Sequence, residues 1–143
     1  MTADRKVPEI IRDTQAMLAG MTPELSKGEY IFCTTKDAGL VARATPRAFG
    51  LFKEEEGTTL ILGRDVAKEL GFDNAMPMRR IVLEVFSALD GIGLTASVAT
   101  ALAAADIPCN MIAGYHHDHV FVPAALAERA HTVLAEVAAR ARR

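Results

Sequence analysis

Apolar residues alternate with polar ones in some stretches of the chain and return at helical spacing in others. Ile81, Leu83 and Val85 line one face of a strand over residues 81–86, with Arg80, Val82, Glu84 and Phe86 on the other. Residues 29–34 (EYIFCT) and 119–122 (HVFV) are β-branched and aromatic and read as strands between turn residues. Residues 48–53 and 58–62 form a hairpin pattern around Glu54-Glu55-Glu56-Gly57, where Gly57 suits a positive φ. Helical spacing marks residues 7–21 (Ile10, Ile11, Met17, Leu18), 64–70, 94–105 (Leu94, Val98, Ala101, Leu102, Ala105) and 124–142 (Leu126, Ala130, Val133, Leu134, Val137). Gly20, Gly71, and Asp106 with Pro108 are the stop signals. Residues 22–27 read as a polar connector, and residues 38–46 carry no clear pattern.

The second half therefore runs strand, helix, strand, strand, helix. The first half runs strand, strand, strand, helix, without a helix between its first two strands. Residues 72–77 (FDNAMP) punctuate the join, because Pro77 biases Met76 away from helix. The fold class that follows is α+β, with two lobes, residues 1–74 with a leading helix and residues 75–143, each an antiparallel sheet covered by helices. No strand follows the last helix, so the second lobe has an open sheet edge. Its first strand must pair with the other lobe or with another chain. Because proteins cover open edges, and closed two-fold dimers are the commonest way to do so, a homodimer is expected.

Composition narrows the function classes. The chain has 143 residues, half of them apolar, and a formal net charge of -2. A nucleic-acid partner is not expected, since a general binder needs a basic face. The opening MTADRKVPEI has no apolar core of signal-peptide length, and no run of 18 apolar residues exists, so neither export nor a membrane is expected. Two separated cysteines, Cys33 and Cys109, fit a cytoplasmic protein with reduced thiols.

Candidate chemistry centres on Asp90-Gly91-Ile92-Gly93-Leu94-Thr95, ahead of a helix. Glycines there let the backbone turn and expose N–H groups, and the helix dipole adds attraction for a carboxylate or phosphate. The third glycine of a dinucleotide-binding turn is missing. The plainer reading is a tight turn capped by Asp90 or Thr95. Tyr115-His116-His117-Asp118-His119 contains metal-ligand types, but it falls in a short connection where neighbouring side chains diverge, and a hairpin turn is the stronger reading. No nucleophile stands beside a base and no carboxylate pair stands out. Neither an enzyme, a cofactor nor a metal is expected.

The segment GLTASVATALAAADIPCNMIAGYHHDHVFVP, with its CN-x-IAGY-x-HDH-x-FVP block, resembles the second half of bacterial proteins built from two tandem ACT-type lobes. ELSKGEYIFCT and KEEEGTTLIL are similar to the first lobe of the same family. The resemblance covers about residues 15–140. It implies two ferredoxin-like lobes, a regulatory role and a small-molecule ligand, an amino acid first. It places that ligand at Asp90, Gly91, Ile92, Gly93, Leu94 and Thr95 and at the strand residues Asn110, Met111 and Ile112. The competing reading is an interaction module without a ligand, acting through sheet-edge dimerisation.

Overall fold

The computed structural model describes residues 13–72, 76–85 and 92–143. Ile10, Ile11, Phe86, Asp90, Gly91 and the linker residues 73–75 lie outside the described residues. Helix α1 (Thr14–Gly20) is capped by Asp13, whose side chain accepts from the Ala16 N–H, and it buries Met17. The chain then extends directly into strand β1 (Thr22–Leu25). This corrects the reading of residues 22–27 as a connector. The segment holds a proline and a glutamate and shows no alternation. What makes it a strand is its partner: it pairs antiparallel with β5 (Met78–Glu84), from Thr22 opposite Glu84 to Leu25 opposite Ile81. Only one side of β1 is paired among the described residues, and Pro23 is tolerated at such an edge because it need not donate to a second ladder.

Next come β2 (Tyr30–Thr35), helix α2 (Ala38–Ala44), a short 3-10 turn, β3 (Gly50–Glu54), β4 (Gly57–Gly63) and helix α3 (Arg64–Glu69). Helix α2 fills the place where no helix was expected between the first two strands. It is seven residues long and rich in alanine, too short to show a period, and Asp37 starts it by accepting from the Leu40 N–H at 3.0 Å. The hairpin forms as expected, and Gly57 has φ of 153°. A side chain there would press on Thr34 Oγ1 and Thr35 O, at 3.1 and 3.2 Å from its Cβ. Gly71 closes α3 with φ of 81°.

After β5 come helix α4 (Leu94–Ala104), β6 (Asn110–Ala113), β7 (Asp118–Pro123) and helix α5 (Ala127–Ala141). All pairings are antiparallel, in the order β3-β4-β2-β5-β7-β6, with β1 beside β5. Strand β5 belongs to both lobes. Its first residue, Met78, pairs with Tyr30 of β2, while its last four pair with β1 on the same edge. The fold class is the expected one, two ferredoxin-like α+β lobes. The open edge of the second lobe is filled from within the chain, so the argument for a dimer through that edge falls away.

Each lobe packs helices on one sheet face. Ile31, Cys33, Leu60 and Leu62 meet Ala44 and Ala67 in the first. Ile81, Leu83, Val120 and Val122 meet Met17, Leu94, Val98, Leu102, Ala130 and Leu134 in the second. Leu94, Val98 and Leu102 of the expected α4 stripe are buried. Burial pushes the Cys33 thiol up to about 11 and raises the Cys109 thiol as well. Both thiols stay protonated at neutral pH, which makes them poor nucleophiles.

Candidate functional site

At the entrance of α4, Gly93 is the residue before the first helical turn, with φ of 101°, and no side chain among the described residues caps the helix. Thr95 is therefore not the cap. The Gly93 carbonyl accepts from the Ser97 N–H at 2.8 Å, so the N–H groups of Leu94 and Thr95 have no acceptor inside the helix. Ile92 is 81% exposed, and Thr95 is exposed beside it. The Leu94 side chain points into the core at 4% exposure and offers only its backbone. Helix α1 forms one wall. Thr14 Oγ1 donates to the Ile92 carbonyl, and a Cβ on Gly93 would stand 2.5 Å from that same hydroxyl oxygen. Gly93 is thus needed both for its left-handed backbone and for the close approach of α1.

The three strand residues expected at this site lie on β6, two strands from β5. β6 runs beside β7, with Asn110 opposite Phe121 and Ala113 opposite Asp118. β7 in turn sets Phe121 opposite Arg80 and Asp118 opposite Leu83. The end of β6 nearest the exit of β5 towards α4 is therefore Ala113. Asn110 lies about 10 Å back along the strand. It shares a cross-strand row, and a face, with Phe121 and Arg80. Met111 packs partly against the second core, and Ile112 against Phe121, Ile61 and Met78.

Asn110 and Ile112 lie on the face of the sheet against which no helix packs among the described residues. Phe121 is fully buried there. Its ring meets those of Tyr30 at 5.6 Å, Phe32 at 5.3 Å and Phe49 at 5.6 Å, all edge-on. The Phe49 ring also reaches His119 at 5.1 Å. Phe49 precedes β3, and β3 and β7 would stand about 19 Å apart in a flat sheet. The contact exists because the sheet curls over its helix-free face. Over these rings lies the Arg80 guanidinium, 4.6 Å from the Phe49 centroid and 5.7 Å from that of Tyr30. Arg80 Nη1 donates to His119 Nδ1 at 3.1 Å, and Nη2 donates to Ser26 Oγ at 3.2 Å. A guanidinium cannot accept, so His119 Nδ1 is the acceptor. Burial, with the Arg80 and His117 charges, holds the His119 pKa below its usual range. Sequence reasoning put Arg80 on the mixed face of its strand but did not see this cluster. Its members come from positions 26, 30, 32, 49, 80, 119 and 121, and only tertiary folding joins them.

The histidine segment is a turn, as expected. Gly114 N–H donates to His117 O at 2.9 Å, Tyr115 is 82% exposed, and no group of three metal-ligand side chains assembles among the described residues. No helix among them is long and apolar enough to cross a membrane.

Two curled ferredoxin-like lobes sharing a strand match ACT domain profiles at residues 11–79 and 78–136. A solved protein of unknown function from Vibrio cholerae, described as a possible transport protein, is 38% identical with a TM-score of 0.77, over 87% of this chain and 94% of that one. The chain belongs to the ACT domain family, with two ACT domains in tandem. The ligand-free regulatory subunit of aspartate kinase from Thermus thermophilus has the same fold at 11% identity and a TM-score of 0.61, over 82% of this chain and 97% of that one. A protein from Agrobacterium tumefaciens matches at 15% identity with a TM-score of 0.61, over 82% of this chain and 89% of that one. No curated protein matches the chain.

Proposed function

We propose that this chain is a regulatory ACT protein that binds an amino acid or a similar small carboxylate at the entrance of α4, without catalysing a reaction. The observation that carries the reading is the α4 N-terminus, left without a side-chain cap among the described residues, with exposed Ile92 and Thr95 beside it. The Leu94 and Thr95 N–H groups would donate to the ligand carboxylate. Membership of the ACT family and the aspartate kinase regulatory subunit among its structural relatives support a regulatory role. Asp90 and Gly91 belong to the same proposal from sequence. Asn110, Met111 and Ile112 keep their place only as part of the same sheet, since Asn110 and Ile112 face the Arg80 cluster.

The test is a thermal-shift screen over the amino acids, followed by titration calorimetry on Thr95→Glu. Thr95 is exposed in the first turn, so a carboxylate there favours the helix by about 0.3–1 kcal/mol while repelling a ligand carboxylate. The expected result has opposite signs: a fold at least as stable as the parent and binding lost. Unchanged affinity in a folded Thr95→Glu protein removes the site. Gly93→Val is unsuitable as a test, because it would strain a positive φ and drive its side chain into Thr14.

The reading includes a homodimer, formed through one of the outer strands β3 and β6 and not through β5, whose edge β1 already occupies. Light scattering at micromolar concentration is expected to return twice the chain mass, and a monomer mass rejects the dimer.

A further inference from the structure

Arg80 is a cation without an anion. A guanidinium has five N–H donors, and His119 and Ser26 take one each. One donor on each Nη is left over, together with Nε, which is buried without a hydrogen-bond partner. No carboxylate lies within ion-pairing distance of Arg80 among the described residues. His119 offers no countercharge, since it accepts as a neutral ring. The acid nearest in the register is Glu24, opposite Val82 on β1 and diagonal to Arg80. Glu24 is engaged elsewhere: its hydrogen bond to Glu84, and then the Glu84 charge, hold its pKa above the usual carboxylate range, against the opposing pull of Arg80. By contrast Arg64, beside a cleft of about 450 Å³ where β4 meets α3, is already paired with Glu29 at 2.6 Å.

We propose that the curled sheet face is a second site, for a small carboxylate with a flat apolar body. The two free Nη donors form a fork whose spacing suits the two oxygens of a carboxylate. Such an ion supplies the countercharge that a half-buried cation lacks. The apolar body lies against the aromatic surface around Arg80, where Phe49 is 37% and Phe32 is 40% exposed on the helix-free side. Asn110, on the same face two strands from Arg80, adds a donor and an acceptor at the rim.

The experiment uses benzoate as probe and benzamide as its neutral isostere, with the full chain. His119 is a built-in reporter: burial and then the Arg80 charge hold its pKa down, so an anion that offsets the Arg80 charge is expected to raise it. The expected results are saturable binding of benzoate, an upward move of the His119 ring titration followed by NMR, and no binding of benzamide. Arg80→Lys keeps the charge and loses the fork, and it is expected to bind benzoate about tenfold or more weakly. Benzoate is itself a small carboxylate, so the titration is repeated on Thr95→Glu, in which the α4 entrance repels carboxylates: binding that moves His119 in that variant belongs to Arg80, and the outcome separates from that at α4. If His119 does not move at saturating benzoate, or if benzamide binds equally, the site is rejected without relying on any variant.

Discussion

Phe121→Ala is expected to lower the stability of the chain by ~3–5 kcal/mol, the range for deleting a fully buried phenylalanine side chain. It is also expected to weaken both lobes together. Phe121 lies on β7, in the second lobe, but its ring meets Tyr30, Phe32 and Phe49 of the first and packs with Ile61 of β4 and Met78 of β5. Backbone pairing between β2 and β5 amounts to one rung, Tyr30 with Met78, so the aromatic group is the main adhesive across the β2–β5 seam. Urea unfolding followed by circular dichroism measures the loss. The parent should unfold in one transition, and the variant at a much lower midpoint. A loss under about 1 kcal/mol would mean that the cavity collapses at little cost and that the rings do not join the lobes.

Met21→Ala is expected to cost ~2–5 kcal/mol, as for other buried methionine truncations. Met21 is the hinge between α1 and β1, and it is as fully buried as Met17. Both side chains enter the second core beside Leu83 and Leu102. If Met21 were an exposed residue at the end of α1, the change would fall within about 0.5 kcal/mol. The same unfolding measurement decides between the two.

These substitutions show which parts of the fold could be read from the sequence. Strand β5 and helices α4 and α5 were legible because burial imposed a period on them, as with Ile81, Leu83 and Val85, or Leu94, Val98 and Leu102, and β7 was legible as a short β-branched and aromatic run between turn residues. The hairpin was legible from Gly57. Strand β1 was not, because pairing with β5 defines it and a Thr-Pro-Glu-Leu segment has no pattern of its own. Helix α2 escaped because seven small residues cannot display a face. At the candidate site, the helix entrance was legible as a run of glycines. The role of Thr14 against Gly93 was not, since the two residues lie far apart in sequence. The resemblance to ACT lobes put Asn110 beside the helix entrance, and strand register sets it in the Arg80 row. The one available hint was two consecutive arginines inside an apolar strand. Alternation sends one to each face, and Arg80 had to find an environment on the side without helices.

The single rung between Tyr30 and Met78 has a mechanical consequence. Hydrogen bonds along a ladder resist torsion because many rungs share the load, whereas one rung is a pivot. The angle between the halves is then fixed by side-chain packing, chiefly by the rings around Phe121 and the guanidinium laid over them. Anything that shifts those rings changes the angle while leaving each half intact. The expected movement is a rotation of two stiff bodies about β5, with the outer strands β3 and β6, at opposite ends of the sheet, travelling furthest.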